Sequence, residues 1–258
     1  MSSSAWNSQQ YLKFAGERTQ PSIDLAARVP LGAPKRVIDL GCGPGNSTAI
    51  LAARWPDAEI TGIDNSPEML AQARTDFPAM RWIEGDIAGW RAERPFDLVF
   101  SNAALQWVPD HAALLPELLA QVAPGGCLAI QMPRNFDNPA HALMRAVAKD
   151  GPWEARLDEV SGRLPTEPPG FYYDLLGPRA AKLELWETEY QHVLANAEAI
   201  LEWVKGTGLR PFIDPLPSGE REQYLARYLE RLRAAYPPQA DGKVILPFRR
   251  LFILATAR

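Results

Sequence analysis

From residue 36 to residue 133, short apolar runs alternate with longer segments in which apolar residues return every three or four positions. The runs at 36–40, 59–64, 80–84, 96–100 and 127–131 predict buried strands. The segments at 47–55, 66–76 and 111–122 are rich in Ala and Leu and start beside Asn, Pro or Asp, which predicts helices. Strands alternating with helices imply the α/β class, with a doubly wound parallel sheet.

After Pro133 the rhythm changes. Trp153, Pro165, Pro168, Pro169 and Pro178 punctuate short helical stretches up to about residue 180, which predicts a helical insertion. Residues 182–194 are strand-like, 197–204 and 218–235 are helical, and 244–257 return to an apolar β pattern. The two late strands predict a hairpin that completes the sheet. Ahead of the first strand, residues 8–29 predict two short helices divided near 18–21. With no repeat or low-complexity linker, the organisation expected is one domain over 1–258. Within it lie an N-terminal helical lid at 1–33 and helical cap segments at 134–180 and 197–240.

Composition narrows the function. Hydrophobic residues make up 47% of the chain, ample for a core. Lys+Arg 27 against Asp+Glu 31 gives a net charge of −4, which argues against a nucleic-acid surface and for a small-molecule partner. Cys42 and Cys127 stand far apart, so neither a disulfide framework nor a cysteine metal site has support, and a reducing cytoplasm fits. The N-terminus lacks the blocks of a signal peptide, and no apolar run approaches the roughly 18 residues of a membrane span. A cytoplasmic protein without a membrane partner is expected.

The strongest chemical signal is the passage from Asp39 through Gly41, Gly43 and Gly45, a strand running into a glycine-dense turn and then a helix. Glycines let a ligand approach the backbone and permit positive φ. A dinucleotide fingerprint would place its third glycine where Asn46 stands, so the turn differs from the pyrophosphate-binding form. Asp39 puts negative charge at the end of the first strand, where a diphosphate is repelled and an ammonium or a ribose hydroxyl is welcome. Asp64 ends the second strand and suits ribose hydroxyls. Asp86 ends the third and suits an adenine amino group, with Ile87 against the ring, and Asn102 ends the fourth. Four polar residues at consecutive strand ends converge on the crevice where open α/β sheets bind ligands.

These residues resemble the class I S-adenosylmethionine methyltransferases: Asp39 to Gly45 is similar to their first motif, Asp64 to the second, Gly85 and Asp86 to the third, and Phe96, Asp97 and Asn102 to the fourth. The resemblance implies a Rossmann-like seven-stranded sheet, mostly parallel with a C-terminal antiparallel hairpin. It also implies S-adenosyl-L-methionine as cofactor, leaving as S-adenosyl-L-homocysteine, with Gly41 and Gly43 under its methionine portion. A narrower resemblance runs the whole chain, through Trp6, Tyr11, Phe14, Arg18 and Pro21, then Leu105 to Trp107, Gln131 to Pro133, Gly206 to Pro211 and Leu246 to Phe252. Those segments are similar to the branch of the class that esterifies a small tricarboxylic acid, trans-aconitate, to its monomethyl ester.

Methyl transfer from a sulfonium is an in-line displacement, in which the protein positions the nucleophile and excludes water. A carboxylate with a pKa near about 4 is ionised at pH 7, so no general base is required and none is assigned. His111, His141 and His192 read as structural or solvated, no metal-ligand spacing links them, and Cys42 reads as a small turn residue. A polycarboxylate acceptor needs cations for the carboxylates that do not react, because gripping the attacking one lowers its nucleophilicity. Arg18, Arg134, Arg210, Arg249 and Arg250 are candidates. Strand alternation keeps Arg249 and Arg250 from facing one pocket, and Arg250 is preferred because it leads into the family-like Arg-Leu-Phe segment. Arg18 and Arg250, with Tyr11 and Trp107, are therefore the acceptor-site candidates. Trp6, Tyr11 and Phe14 also have a spacing that simply packs a helix. The competing functions are methylation of another small or carrier-bound acid, a non-catalytic S-adenosylmethionine-binding regulatory module, and a nicotinamide dehydrogenase, which Asn46 and Asp39 disfavour.

Overall fold

The strands, in chain order, are β1 (Arg36–Leu40), β2 (Glu59–Asp64), β3 (Arg81–Glu84), β4 (Phe96–Asn102), β5 (Val122–Pro133), β6 (Ala180–Leu194) and β7 (Val244–Ala257). They form one seven-stranded sheet in the order β3-β2-β1-β4-β5-β7-β6. Pairing is parallel from β3 to β5, and β7 pairs antiparallel with β5. The Rossmann-like sheet with its C-terminal antiparallel element is thus as expected. The helices are α1 (Ala15–Arg28), α2 (Asn46–Arg54), α3 (Pro67–Asp76), α4 (His111–Ala120), α5 (Pro139–Ala148), α6 (Glu154–Ser161), α7 (Pro169–Leu176), α8 (Ala197–Lys205), α9 (Arg210–Ile213) and α10 (Ser218–Ala235). The computed structural model describes residues 15–161, 166–206 and 208–258.

By contacts the described residues fall into two compact units, one of 15–133, 166–188 and 250–258, the other of 134–161, 189–206 and 208–249. In the first, Ile38, Leu40, Val99, Leu128 and Ile130 are buried, the near-continuous apolar runs that a parallel sheet covered on both faces requires. Asp97 sets the start of β1, its Oδ2 accepting from the Lys35 N–H at 2.6 Å and the Arg36 N–H at 3.0 Å. Ser66 caps α3 by accepting the Met69 N–H at 3.3 Å, and Asp110 caps α4 by accepting the Ala113 N–H at 3.1 Å.

Two local expectations change. The split near residues 18–21 is absent, because α1 runs through Pro21 as a continuous helix. A mid-helix proline removes one backbone bond, but Pro21, Ser22, Leu25, Ala26 and Val29 make one buried face, and that packing outweighs the local penalty. The helix expected to reach residue 122 stops at Ala120, and β5 starts at Val122, ahead of the expected 127. Pro124, Gly125 and Gly126 hide this part of the strand, and its register against β4 shifts between Phe96 and Leu98.

In the second unit α10 packs on α5 and α8. Aromatic side chains fill it and use their polar tips on the backbone of α5: Tyr224 Oη donates to the Met144 carbonyl at 2.8 Å and Tyr228 Oη to that of Ala140 at 2.9 Å. Tyr236 Oη accepts the Ala140 N–H at 2.9 Å. His141 is buried here, and the ring of His192 lies 4.6 Å from that of Trp203.

His111 belongs to the core of the first unit. Its Nε2 lies 2.9 Å from the Leu105 carbonyl, which only accepts, so Nε2 carries the proton. Nδ1 must then accept from Tyr172 Oη at 2.8 Å, while that oxygen accepts the Glu167 N–H at 3.1 Å. Tyr172→Phe leaves the buried His111 Nδ1 and the part-buried Glu167 N–H without this partner, and should destabilise the protein by about 1–3 kcal/mol in urea unfolding. An unchanged unfolding midpoint would remove this role from the hydroxyl.

Candidate active site

The turn between β1 and α2 is built by backbone. Gly41 and Gly43 have φ of +73° and +55°, and the Gly41 and Cys42 N–H groups donate to the Ile63 carbonyl at 2.8 and 3.0 Å. A Cβ on Gly41 would stand 2.2 Å from that of Ala104, so a side chain there displaces the segment after β4. A Cβ on Gly43 would meet nothing within 4 Å: that backbone borders open space.

The segment after β4 is held equally firmly. Ala103 has φ of +54°, a conformation that disfavours any side chain. Its N–H donates to the Gln131 carbonyl at 2.9 Å, and its own carbonyl accepts from Gln106 Nε2 at 2.6 Å. Asn102 Oδ1, immediately before it, is buried without a hydrogen-bond partner.

Between these two walls lies a cleft with about 820 Å³ of empty space, open to solvent. Gly41, Gly43, Asp64 and Asn102, the cofactor candidates, line it, and so does Trp107, an acceptor candidate. Trp107 is 46% exposed, so it is no core residue. The Asp64 carboxylate accepts the Gly43 N–H through Oδ2 and the Ser66 N–H through Oδ1, both at 2.9 Å. Sequence reasoning missed Ser22, Asn46, Ile50, Asn65, Met69 and Ala103 among the lining. Positions beside Asp64 and on the first turns of α2 and α3 were the available signal. Among the described lining residues Asp64 is the sole charged side chain. A diphosphate would find no cation there, whereas a cationic nucleoside fits.

The remaining candidates are placed differently. Asp39 is fully buried behind the turn, outside the lining, with Oδ2 accepting from Ser47 Oγ at 2.6 Å and Thr48 Oγ1 at 2.7 Å. Asp86 is exposed beyond β3 and accepts the Ala88 N–H at 3.0 Å, while Ile87 Cδ1 lies 3.4 Å from where a Gly41 Cβ would stand. Arg250 is buried, and its Nη1 donates to Gln131 Oε1 at 3.4 Å. Arg249 instead pairs with Asp137 at 3.4 Å and Glu189 at 3.9 Å, in keeping with strand alternation. Arg210 pairs with Asp214 at 3.5 Å. Trp6, Tyr11 and Phe14 lie outside the described residues, and Arg18 is described by its helical backbone alone.

The fold has solved counterparts: the YcgJ protein of Bacillus subtilis superposes with a TM-score of 0.62 at 15% identity, over 93% of this chain and 99% of that one. A family model described as "Methyltransferase domain" matches residues 37–126, the span that holds both walls of the cleft. Fold and site together define a methyltransferase. The trans-aconitate 2-methyltransferases of Azoarcus sp. (strain BH72) and Rhodopseudomonas palustris (strain BisB18) are each 54% identical to the chain, over 97% of its length and 98% of theirs. The chain belongs to the trans-aconitate 2-methyltransferase family.

Titration separates chemistry from structure. Burial pushes the Cys42 thiol far up and the Cys127 thiol up to about 12, so neither is a nucleophile at neutral pH. Burial lowers His141 to about 4, so it is neutral. Burial raises Asp39 to about 6, against the Ser47 and Thr48 hydrogen bonds that lower it and with the Asp64 charge adding to the rise. The folded protein therefore holds the Asp39 proton more tightly than the unfolded chain, and the stability this contributes is lost as pH rises from about 4 through about 6. His141 works in the opposite sense, contributing above about 6.5 and losing that contribution as pH falls through about 4. Asp39→Asn should thus gain stability relative to the parent between pH 4 and 7, on the order of 2–3 kcal/mol, in paired urea titrations. Parallel pH–stability curves for the two proteins would contradict the buried-acid assignment.

Proposed function

We propose that the chain transfers the methyl group of S-adenosyl-L-methionine to a carboxylate of trans-aconitate, releasing the monomethyl ester and S-adenosyl-L-homocysteine. The observation that carries this reading is 54% identity, along 97% of the chain, to curated trans-aconitate 2-methyltransferases. The cleft supports it: one carboxylate and no lining cation among the described residues suit a sulfonium nucleoside. The cofactor, when bound, supplies an electrophilic methyl group with a neutral thioether as leaving group. Asp64 accepts from the ribose hydroxyls with lone pairs left over from its two backbone bonds. Asp86 and Ile87 take the adenine end, and Gly41, Gly43 and Asn102 border the methionine portion. Asp39 acts from behind the turn, as negative charge close to a cation.

The acceptor carboxylate is already ionised, so the protein's work is alignment and exclusion of water. Arg250 and Arg18 hold carboxylates that do not react, and Tyr11 and Trp107 border the acceptor. We place the reaction in the cytoplasm, where the two buried free thiols remain reduced.

The test of substrate is turnover of trans-aconitate, cis-aconitate, citrate, isocitrate and carrier-bound malonyl groups with methyl-labelled cofactor, followed by mild alkali. Labelled methanol from trans-aconitate is expected, as esters release it and N-methyl or ether products do not. Label that survives alkali, or turnover confined to the carrier-bound acid, would remove trans-aconitate. Asp64→Ala should weaken cofactor binding about tenfold to hundredfold, since a hydrogen bond to a charged group contributes roughly 1.5–3 kcal/mol. Calorimetric titration of the folded variant with unchanged affinity would reject that role.

A further inference from the structure

Two glycines outside the cleft lining are closed off by one side chain. Gly62 lies in β2, ahead of Asp64 at the strand's end, and Gly45 ends the glycine turn where α2 begins. A Cβ on Gly62 would stand 2.5 Å from Cζ3 and 2.6 Å from Cε3 of Trp82, and a Cβ on Gly45 would stand 2.7 Å from Cη2 of the same ring. Cε3, Cζ3 and Cη2 follow one another along the benzo edge of the indole. That edge therefore bridges from β2 to the turn, packed at each end on a residue with no side chain.

The ring is held in this orientation. Trp82 stands opposite Gly62 in the parallel pair of β2 and β3, and its Nε1 donates to the Phe77 carbonyl at 3.2 Å. Phe77, at the end of α3, adds its own ring, with Cδ2 2.9 Å from where a Gly45 Cβ would stand. Cys42 Sγ also borders Gly62, 2.9 Å from the place of its Cβ. The turn itself is tied to β2 by hydrogen bonds: the Gly43 N–H donates to Asp64 Oδ2, and the Gly41 and Cys42 N–H groups donate to the Ile63 carbonyl. Those bonds draw the turn toward the strand, and their lengths tolerate a few tenths of an ångström. A close-packed ring between Gly45 and Gly62 does not, so it sets how near the turn comes.

We propose that Trp82 is a positioning residue for the cofactor. By spacing Gly45 from Gly62 it fixes the distance between the glycine turn, which borders the methionine portion, and Asp64, which takes the ribose. The inference rests on that assignment of Gly41, Gly43 and Asp64. With the ring removed, β2 keeps its ladders to β1 and β3, so the ribose end of the site persists. The turn loses its stop, and the methionine portion loses its seat.

The experiment uses the full-length protein and compares wild type, Trp82→Leu, Trp82→Phe and Tyr228→Phe. Calorimetry gives Kd for S-adenosylhomocysteine and for 5′-methylthioadenosine, which keeps the nucleoside and the thioether but lacks the amino-acid portion; urea unfolding gives the stability of each variant. Trp82→Leu should weaken S-adenosylhomocysteine about tenfold or more and 5′-methylthioadenosine by less than about threefold. Trp82→Phe keeps a ring over Gly62 without the reach to Gly45, and should fall between. Tyr228→Phe removes the bond to the Ala140 carbonyl in the other compact unit, so it should lower the unfolding midpoint and leave both Kd values within about twofold. A merely structural role for Trp82 would follow that pattern. Equal weakening of the two ligands in Trp82→Leu, or no change in either, overturns this inference alone, and where that variant does not fold the same comparison in Trp82→Phe decides it. A wild-type protein that binds neither ligand sinks the cofactor-site assignment, and this inference with it.

Discussion

At Gly41 the chain has no room for a side chain, because a Cβ would stand 2.2 Å from that of Ala104. The turn after β1 and the segment after β4 therefore meet backbone to side-chain stub, and the cleft between them has a width set by main-chain geometry. The turn is tied to β2 through the Ile63 carbonyl, and Ala103 is clamped on both sides by Gln131 and Gln106. Positive φ at Gly41, Gly43 and Ala103 is sustained because each is over-determined by such bonds. A site whose chemistry is alignment needs its walls fixed before the ligand arrives.

Electrostatics follow from the same arrangement. The cleft presents Asp64 with no cation among its described lining residues, which favours a cationic, phosphate-free ligand. Asp39 stands behind the turn, where burial raises its pKa to about 6. Outside the cleft lining, the Arg250 guanidinium is buried and donates to Gln131 Oε1. The buried thiols and the neutral or hydrogen-bonded histidines leave no nucleophile or general base in evidence among these groups, and a carboxylate acceptor requires neither.

Strands β1 to β4 and the glycine turn were legible because their signals are local. A parallel strand buried on both faces reads as an apolar run, a helix start carries its cap, and the glycines at 41, 43 and 45 stand together. Asp64 and Asn102 were findable by their place at strand ends, since side chains there meet the crevice, whereas Trp107, in a short helical turn after β4, was flagged through the family-like segment 105–107. The early start of β5 was not, since Pro124, Gly125 and Gly126 look like a turn until β4 supplies hydrogen bonds. The continuity of α1 through Pro21 was lost for a similar reason: the packing that tolerates the proline comes from residues distant in sequence.

By itself the sequence determined the α/β class, the glycine-dense turn and the acidic strand ends, because each depends on residues within a few positions of one another. Only tertiary structure decided that β7 enters between β5 and β6, that Arg250 is buried while Arg249 forms ion pairs, and that Asp39 lies behind the cleft wall. The bond from Arg250 to Gln131 belongs with these: it joins residues 119 positions apart, and no local pattern encodes which side chain stands opposite another until the register is formed.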